Sequence, residues 1–334
     1  MPEIITLGEA LVDLVSSRSG VNLIEAPSFE KAPGGAPANV AVGISKLGIN
    51  SGFIGLVGDD PFGHFLAKTL EEVGVDISEL HFSSEARTGL AFVSLKEDGE
   101  RDFVFYRHPS ADMLLSSEHI SPTYLQQAKI LHFGSISTIN EPPKSATMKA
   151  IMSALADDLT VSFDPNIRLN LWPNTKQART EILNFWQHAQ IIKLSEEELG
   201  FLSNRDDYRN WNDSDLLNIS SEFWHHNLHL LVITRGKKGA FALTREGSIQ
   251  IPGFDVRAID TTGAGDGFMA GLLTSLLRHR LLTKTPSREE LSELLRYANA
   301  VGALTTTKKG AIPALPSLKD VQQFLIRSNN SSKK

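Results

Sequence analysis

The chain has 334 residues, of which 41% are hydrophobic and 22% are charged, a composition typical of a globular protein with a substantial core. Its 39 acidic and 33 basic residues give a formal net charge of -6, so it lacks the basic face that nucleic acid binding requires. Because it contains no cysteine, disulfides, iron–sulfur clusters, cysteine-ligated zinc and thiol nucleophiles are excluded.

The N-terminal segment predicts neither export nor membrane insertion. It has no basic residues before its apolar stretch, and Glu9 and Asp13 interrupt that stretch. Elsewhere no segment reaches the roughly 18 uninterrupted apolar residues that a membrane-spanning helix needs. We therefore expect a cytoplasmic protein with no membrane partner.

Short β-rich runs alternate with helical patterns along most of the chain. A helix is predicted from Pro37 to a glycine stop at Gly48, and another from Pro61 to a second stop at Gly74. The predicted strands are 4–7, 52–57, 130–133, 161–163, 191–194 and 230–234. This alternation predicts βαβ units, and hence an α/β fold with a mostly parallel sheet and helices on both faces.

A predicted hairpin interrupts this rhythm. The β-rich runs 88–95 and 101–106 are joined by a short segment that contains Asp98-Gly99, a dipeptide favoured in hairpin turns. The hairpin is either an edge decoration of the main sheet or a lid over a site, and the runs alone do not distinguish these. Neither an internal repeat nor a Pro- or Ser-rich linker divides the chain, which favours one large domain over two.

The most informative stretch is a glycine-rich loop in the last third of the chain. Gly263, Ala264 and Gly265 directly precede a helical apolar pattern, so they lie at a helix N-terminus, where unpaired N–H groups attract phosphate. Asp266 follows them. A carboxylate here is either a helix cap or a base, and an anion-binding loop with an adjacent base is what phosphoryl transfer to a hydroxyl requires. We favour the base.

Two other nucleotide-binding motifs do not fit. The chain has no G-x-x-x-x-G-K-[ST] sequence, which excludes a P-loop enzyme. The loop reads G-x-G-x-x-F, whereas the dinucleotide-binding motif has an acidic residue about 20 positions after its glycines; here the acidic residue lies inside the loop. A dehydrogenase is therefore the least favoured of the functions considered.

A second glycine-rich segment predicts a site for a polyhydroxyl ligand. Gly34 and Gly35 precede a helix and permit close approach of a ligand, and Asn39 can both donate and accept hydrogen bonds. Asp13 ends the first strand region and can accept from sugar hydroxyls if it faces a cleft. Standing alone, Asp13 would be interpreted as a surface carboxylate.

Two stretches identify the family that the chain resembles. GGAPANVAVGISKLG and DTTGAGDGFMAGLL resemble the two signatures of the PfkB, or ribokinase-like, carbohydrate kinases, and the resemblance spans about residues 4–325. FVFYRHPSADMLL, FDPNIRLNLW, IIKLSEEELGFL and ANAVGALTTTKKGAIPALP are most similar to fructokinases.

The resemblance implies a three-layer α/β/α ribokinase-like fold with a small β-sheet lid. It implies one kinase domain over residues 1–327, with lid strands inserted at about 14–32 and 86–108, and a flexible tail over 328–334. It further implies ATP-dependent phosphorylation of a sugar hydroxyl, with D-fructose converted to fructose 6-phosphate. The alternatives are a PfkB kinase for 2-keto-3-deoxygluconate, aminoimidazole riboside or a nucleoside, and a non-catalytic sugar-binding regulator. A homodimer through the lid is also implied.

The same resemblance assigns site residues. It makes Asp266 the base and Gly263, Ala264 and Gly265 the anion hole. The implied sugar ligands are Asp13, Gly34, Gly35, Asn39, Tyr106 and Arg168, and the implied nucleotide contacts are Lys193, Thr234, Gly236, Gly239 and Asn299.

Metal ions are implied at two places. Mg²⁺ is expected with ATP, indirectly through Glu198 of the family's N-x-x-E motif, although Ser195 here replaces the Asn. A monovalent cation, K⁺, is implied beside the anion hole, largely through backbone oxygens of Asp260, Thr262, Thr305, Lys308, Gly310 and Ala314.

Overall fold

The computed structural model describes residues 1–18, 20–95 and 101–331. Its strands, in chain order, are β1 (Ile4–Leu7), β2 (Leu11–Ser16), β3 (Phe29–Gly34), β4 (Ser51–Gly58), β5 (Leu80–Ser83), β6 (Leu90–Leu95), β7 (Arg101–Tyr106), β8 (Ile130–Gly134), β9 (Thr160–Asp164), β10 (Ile191–Ser195), β11 (Leu230–Thr234), β12 (Ala240–Thr244) and β13 (Gly247–Ile251). Its α-helices are α1 (Ala36–Lys46), α2 (Pro61–Glu72), α3 (Pro122–Leu125), α4 (Pro143–Ala156), α5 (Thr175–Trp186), α6 (Glu196–Ser203), α7 (Asp213–Glu222), α8 (Ala264–Arg278), α9 (Arg288–Thr305) and α10 (Leu318–Ser331).

Among these residues, nine strands form one sheet in the order β13-β12-β11-β10-β9-β8-β1-β4-β5. The pairs are parallel except for those that β12 makes with β11 and β13. Strands such as β4 and β8 are buried along their whole length, which explains their continuous apolar sequences. The parallel strands end at one edge of the sheet, and the loops that follow them converge there.

Helices cover both faces of this sheet. On one face Phe133 and Phe163 pack with α5 residues such as Trp186. On the other face Val40 of α1 and Met269 of α8 lie in a second cluster that also includes residues of α9 and α10. The predicted three-layer α/β/α architecture is confirmed.

A small second sheet, with strand order β3-β2-β6-β7 in the described residues, stands beside the main one. β6 and β7 pair antiparallel, as predicted from the two β-rich runs, and the connection 96–100 lies outside the described residues. Asp60 joins the small sheet to the core, because its carboxylate accepts bonds from the Thr88 N–H (2.8 Å) and hydroxyl (2.9 Å) as well as capping α2.

The predicted glycine stops are confirmed by backbone geometry. Gly48 and Gly74 follow α1 and α2 with φ values of 81° and 83°, the left-handed conformation in which glycine is unstrained. The chain end differs from prediction, because α10 continues through Ser331. Ser328 donates to the Phe324 carbonyl and Asn329 accepts from Arg296, so residues counted as a flexible tail are tied to the helix layer. Residues 332–334 lie outside the described residues.

Within the described chain, none of the helices is long and apolar enough to cross a bilayer.

Candidate active site

The site is built around the first turn of α8, which starts near the carboxyl edge of the large sheet. Gly263 precedes the helix with φ 74°, and a Cβ there would lie 2.9 Å from Ala311. The position therefore requires glycine on both conformational and steric grounds. The Ala264 N–H donates to the Thr261 carbonyl at 3.3 Å. The first N–H groups of α8 otherwise have no intrahelical acceptor, so this turn can hold an anion.

Asp266 lies in that first turn and points toward α1. Its Oδ2 accepts a 2.7 Å hydrogen bond from Nδ2 of Asn39. Burial raises the pKa of Asp266 to about 6. The Asn39 hydrogen bond opposes this rise, Asp164 adds to it, and Lys193 and Arg168 oppose it. A carboxyl group with a pKa near neutrality is suited to accept a proton.

A buried cation lies beside the same helix turn. Lys193 of β10 pairs with Asp164 at the end of β9, with Nζ 2.7 Å from Oδ2, and both side chains are almost fully buried. Burial alone would lower the pKa of Lys193, but Asp164, Glu198 and Asp266 outweigh it and raise the pKa. A Cβ on Gly265 would lie 3.0 Å from Nζ, so the ammonium group adjoins the turn.

The second glycine segment meets the site at α1. Gly35 has φ 104°, and a Cβ there would lie 2.3 Å from the Glu9 carbonyl oxygen. A Cβ on Gly34 would lie 2.5 Å from Oδ2 of Asp13, which lies on β2 of the small sheet. Asp13, Gly34, Gly35 and Asn39 are thus brought together, although they come from the small sheet and from α1.

Arg168 follows β9 and faces the same cleft. It lies in the loop between β9 and α5, and its charge acts on Asp266. Its Nη1 donates to the Ile167 carbonyl at 3.1 Å. Arg168 therefore lies within electrostatic reach of Asp266, and its part in sugar binding stays a prediction.

The Glu198 carboxylate accepts hydrogen bonds from two backbone N–H groups at this edge of the sheet. Its Oε1 accepts from the Ile167 N–H (2.7 Å) and its Oε2 from the Ser195 N–H (2.8 Å), while Ser195 Oγ accepts from the Glu198 N–H (3.2 Å). This is a capping box at the start of α6, which explains how Ser serves at the position where the family has Asn. Each carboxylate oxygen of Glu198 thus holds one backbone N–H group, and its part in metal handling stays a prediction.

Tyr106 is not brought to the cleft. Asp13 pairs with Ala91, and Ala91 with Phe105, so these three residues share one face of the small sheet. Tyr106 is on the opposite face, 63% exposed, with its ring 5.2 Å from that of Phe92. Because side chains alternate along a strand, the residue of β7 that faces the cleft is Phe105.

The predicted nucleotide residues gather at the end of β11. Thr234 Oγ1 donates to the Leu194 carbonyl (3.3 Å), and Gly236 and Gly239 follow with φ values of 55° and 94°. A Cβ on Gly239 would lie 2.1 Å from the Ile251 carbonyl oxygen. Asn299 of α9 donates to that same oxygen at 3.3 Å and to the Pro252 carbonyl at 3.2 Å, so it fixes the segment after β13.

Arg235 lies buried between Thr234 and Gly236. Its guanidinium binds Glu196 (2.6 Å), Asp213 (3.1 Å), Gln250 and the Trp211 carbonyl (2.9 Å). Three elements, α6, α7 and β13, and the loop before α7 are thereby tied to the turn that follows β11.

The predicted cation loops lie against each other beside α8. Asp260 Oδ1 accepts from the N–H and hydroxyl of Thr262 (2.9 and 2.7 Å), and Oδ2 accepts from the Gly310 N–H (2.9 Å). Thr305 is fully buried with its hydroxyl bonded to the Val301 carbonyl, Lys308 is exposed, and Ala314 closes a turn on Ala311. In the described ranges there is no group of three or more His, Cys, Asp or Glu side chains arranged to hold a metal.

A cavity of about 130 Å³ lies beneath the small sheet. Its lining includes Phe105 from β7 and three charged side chains, Glu9, Arg107 and Asp112. All three charged residues are less than 10% exposed.

The comparison with known families decides the classification. The family model described as pfkB family carbohydrate kinase matches residues 1–318. The chain belongs to this family. Among curated PfkB relatives, probable fructokinase-4 of Arabidopsis thaliana is 48% identical over 322 residues, 96% of each protein. Fructokinase-2 of Solanum lycopersicum is 46% identical over 324 residues, 96% of this chain and 95% of the relative.

Solved structures of PfkB kinases agree with the fold. Fructokinase from Xylella fastidiosa with bound ATP superposes with a TM-score of 0.88 and 33% identity, covering 98% of this chain and 100% of that one. Fructokinase from Vibrio cholerae O395, in its form with fructose, ADP and calcium ion, gives a TM-score of 0.85 and 37% identity over 97% and 99%. Aminoimidazole riboside kinase from Salmonella enterica gives 0.80 and 31% over 96% and 99%.

The PfkB signatures do not reveal every polar residue at this site. Glu9, Asp112, Asp164 and Arg235 were not singled out from the sequence as site residues. Asp164 directly follows the predicted strand 161–163, at the carboxyl edge where ligand-binding residues of parallel sheets typically lie, and this signal could have found it. Arg235 carries no such signal, because its partners are distant in sequence.

Proposed function

We propose that this PfkB kinase transfers the γ-phosphoryl group of ATP to the C6 hydroxyl of D-fructose, giving fructose 6-phosphate and ADP. The observation that carries the proposal is Asp266 at the start of α8, oriented by Asn39 and adjacent to the buried cation Lys193. A base, an anion-binding helix start and a fixed positive charge are together what phosphoryl transfer to an alcohol needs. The full-length similarity to fructokinases supports fructose as the acceptor.

In the proposed mechanism Asp266 takes the proton of the sugar hydroxyl as its oxygen attacks the γ-phosphorus. The bond between that phosphorus and the β,γ-bridging oxygen breaks, and ADP leaves with the electron pair. The N–H groups of Gly263, Ala264 and Gly265 and the ammonium of Lys193 stabilise the negative charge on the phosphoryl oxygens. The raised pKa of Asp266, about 6, makes its carboxylate a better proton acceptor than an ordinary aspartate.

The proposed sugar site lies between the small sheet and α1. Asp13 accepts hydrogen bonds from sugar hydroxyls, the bare backbone of Gly34 and Gly35 allows close approach, and Asn39 orients both the base and the sugar. Arg168 adds a donor from the opposite side. With Phe105 facing inward, the small sheet would act as a lid that excludes water, a competing acceptor.

The proposed nucleotide site lies along the ends of β10 and β11. Lys193 contacts the phosphates, Thr234, Gly236 and Gly239 form the turn that meets the phosphates and ribose, and Asn299 supports the wall of the adenine pocket.

Metal ions complete the proposed site. Mg²⁺ bound with ATP would neutralise charge on the phosphates, and Glu198 would take part indirectly by holding the backbone at Ile167 and Ser195. K⁺ would be held by the two loops that Asp260 ties together, chiefly through backbone oxygens near Thr262, Thr305, Lys308, Gly310 and Ala314. A cytoplasmic location remains a prediction.

A coupled assay of ADP release tests the function. Mg-ATP is supplied with D-fructose, ribose, 2-keto-3-deoxygluconate, aminoimidazole riboside or a nucleoside at equal concentrations. We expect fructose to give the highest kcat/KM. If another acceptor is preferred, the assignment as a kinase stands but fructose is not its substrate. If sugars bind but none is phosphorylated, the chain is a sugar-binding regulator instead.

A further inference from the structure

A buried charge cluster lies in the cavity beneath the small sheet. Arg107 follows β7 and is 7% exposed. Its Nε donates to Oδ2 of Asp112 at 3.0 Å, Nη2 bonds the same oxygen, and Ser110 donates to Oδ1. The Arg107 guanidinium is therefore neutralised and held by a carboxylate that is itself fixed at both oxygens.

Glu9 adds a second carboxylate to the same cluster. It is 3% exposed, lines the cavity, and interacts electrostatically with Arg107 and Asp112. Its Oε1 accepts from the Ala36 N–H at 3.1 Å, whereas its Oε2 has no hydrogen-bond partner among the described residues. Burial raises the pKa of Glu9 to about 7, so Glu9 is only partly ionised at neutral pH. Because Asp112 already pairs with Arg107, the cluster carries no excess positive charge in either state of Glu9.

This cluster adjoins the proposed sugar site. The Glu9 carbonyl lies against Gly35, and the Glu9 carboxylate accepts from the Ala36 N–H at the start of α1, one turn before Asn39, which holds Asp266. On the side of the small sheet, Phe105 lines the cavity and shares a sheet face with Asp13. The cavity therefore borders the proposed sugar site, and we place there the end of the acceptor opposite its reacting hydroxyl.

We propose that Asp112 and Glu9 determine acceptor specificity by neutralising Arg107, so that the site takes uncharged sugars and rejects sugar acids. The proposal rests on the proposed function in that the acceptor binds between Asp266 and this cavity. A substrate carboxylate entering the cavity would lose its hydration, meet the carboxyl groups of Asp112 and Glu9, and find the Arg107 guanidinium in the cavity lining already paired. Juxtaposed like charges at a buried contact are strongly unfavourable, and such repulsion is a common source of specificity.

Asp112→Asn tests this proposal directly. Asn keeps the size of Asp and an acceptor oxygen for Arg107, but removes the neutralising charge. The two acceptors compared are D-fructose and 2-keto-3-deoxygluconate, a sugar acid whose carboxylate lies opposite its C6 hydroxyl. The ratio of kcat/KM for the acid to kcat/KM for fructose should rise at least about tenfold in the variant, and the gain should vanish in the Asp112→Asn/Arg107→Gln double variant.

Glu9→Gln gives an independent test in case Asp112→Asn folds poorly, as judged by Tm and circular dichroism. Assayed at pH 8, where Glu9 with its pKa of about 7 is mostly ionised, it removes a negative charge near Arg107 without touching the Arg107–Asp112 bonds, so the same ratio should rise, by a smaller factor. Unchanged ratios in folded variants, or a gain that survives the loss of Arg107, would overturn the proposal. So would a wild-type enzyme that phosphorylates the acid as well as fructose.

The same panel separates this inference from the proposed function. If the wild type prefers another neutral acceptor to fructose, the fructose assignment fails, while discrimination against the acid is still measured relative to that acceptor.

Discussion

Three side chains from different elements meet at the start of α8: the carboxylate of Asp266, the amide of Asn39 and the buried ammonium group of Lys193. The sequence predicted the base because small residues before an apolar helical pattern indicate an anion site. It could not predict the pKa, since Asn39, Asp164 and Lys193 approach from other elements.

The pH dependence follows from this environment. A pKa of about 6 means that Asp266 is protonated, and unable to accept the sugar proton, below that pH. We therefore predict that kcat/KM for the sugar at saturating Mg-ATP rises tenfold per pH unit below about pH 6 and levels off above it. Initial rates between pH 4.5 and 8.5 in a constant-ionic-strength buffer measure this, and a profile flat through pH 5 would exclude Asp266 as the titrating base.

Tyr106 shows that resemblance to a family motif does not determine which face of a strand a side chain occupies. The stretch FYRHPSAD predicted a sugar ligand on this strand, but one position along a strand reverses the face. The pairing of Ala91 with Phe105 directs Phe105 to the cleft and Tyr106 away from it. The pairing depends on the register between β6 and β7, and this register cannot be determined from the sequence of one strand alone.

At the scale of elements, the turn after β11 shows how a buried side chain supports an exposed site. Arg235 links it to α6, α7 and β13. Its partners Glu196 and Asp213 are 39 and 22 residues away in sequence. From the sequence alone, Arg235 is therefore only a polar residue in a turn, and its contacts cannot be predicted. The six predicted strands of the main sheet and the helices that end at Gly48 and Gly74 could be predicted, because apolar runs and glycine stops are local signals.

Arg235→Leu should therefore impair nucleotide binding selectively. Loss of the four contacts would let the Gly236–Gly239 turn move, and a displacement near 1 Å is enough to weaken a positioned contact severely. We predict that KM for ATP rises about tenfold or more, with KM for fructose little changed. Arg245→Leu, at an exposed turn of the same sheet, is the matched control and should leave both constants unchanged. Equal increases in both KM values in the Arg235 variant would indicate general destabilisation instead.

At the scale of the whole molecule, the face of the small sheet opposite Asp13 carries exposed apolar side chains near β7. Phe29, Phe92 and Tyr106 form edge-to-face contacts at 5.1 and 5.2 Å, and Val104 on the same face is 45% exposed. Open sheet edges and apolar faces favour association. The sequence resemblance implied pairing of lids, and this face is the surface we propose for it.

Light scattering tests the dimer. We predict a mass in solution near twice the chain mass of 36.6 kDa, and a shift to the monomer mass in the Val104→Glu/Tyr106→Glu variant. Val15→Glu, which places a charge on the opposite face of the same sheet, is the comparison variant and should leave the mass at the dimer value. A monomeric wild type at micromolar concentration would contradict lid pairing.

The central claim is transfer of the γ-phosphoryl group to the C6 hydroxyl of fructose with Asp266 as base. ³¹P and ¹³C NMR of a reaction containing Mg-ATP, D-fructose and either the wild type or Asp266→Asn measures both parts at once. We predict fructose 6-phosphate and ADP from the wild type, and a rate at least about 100-fold lower from the folded variant. Phosphate on another carbon, no sugar phosphate at all, or near-normal turnover by Asp266→Asn would contradict the account.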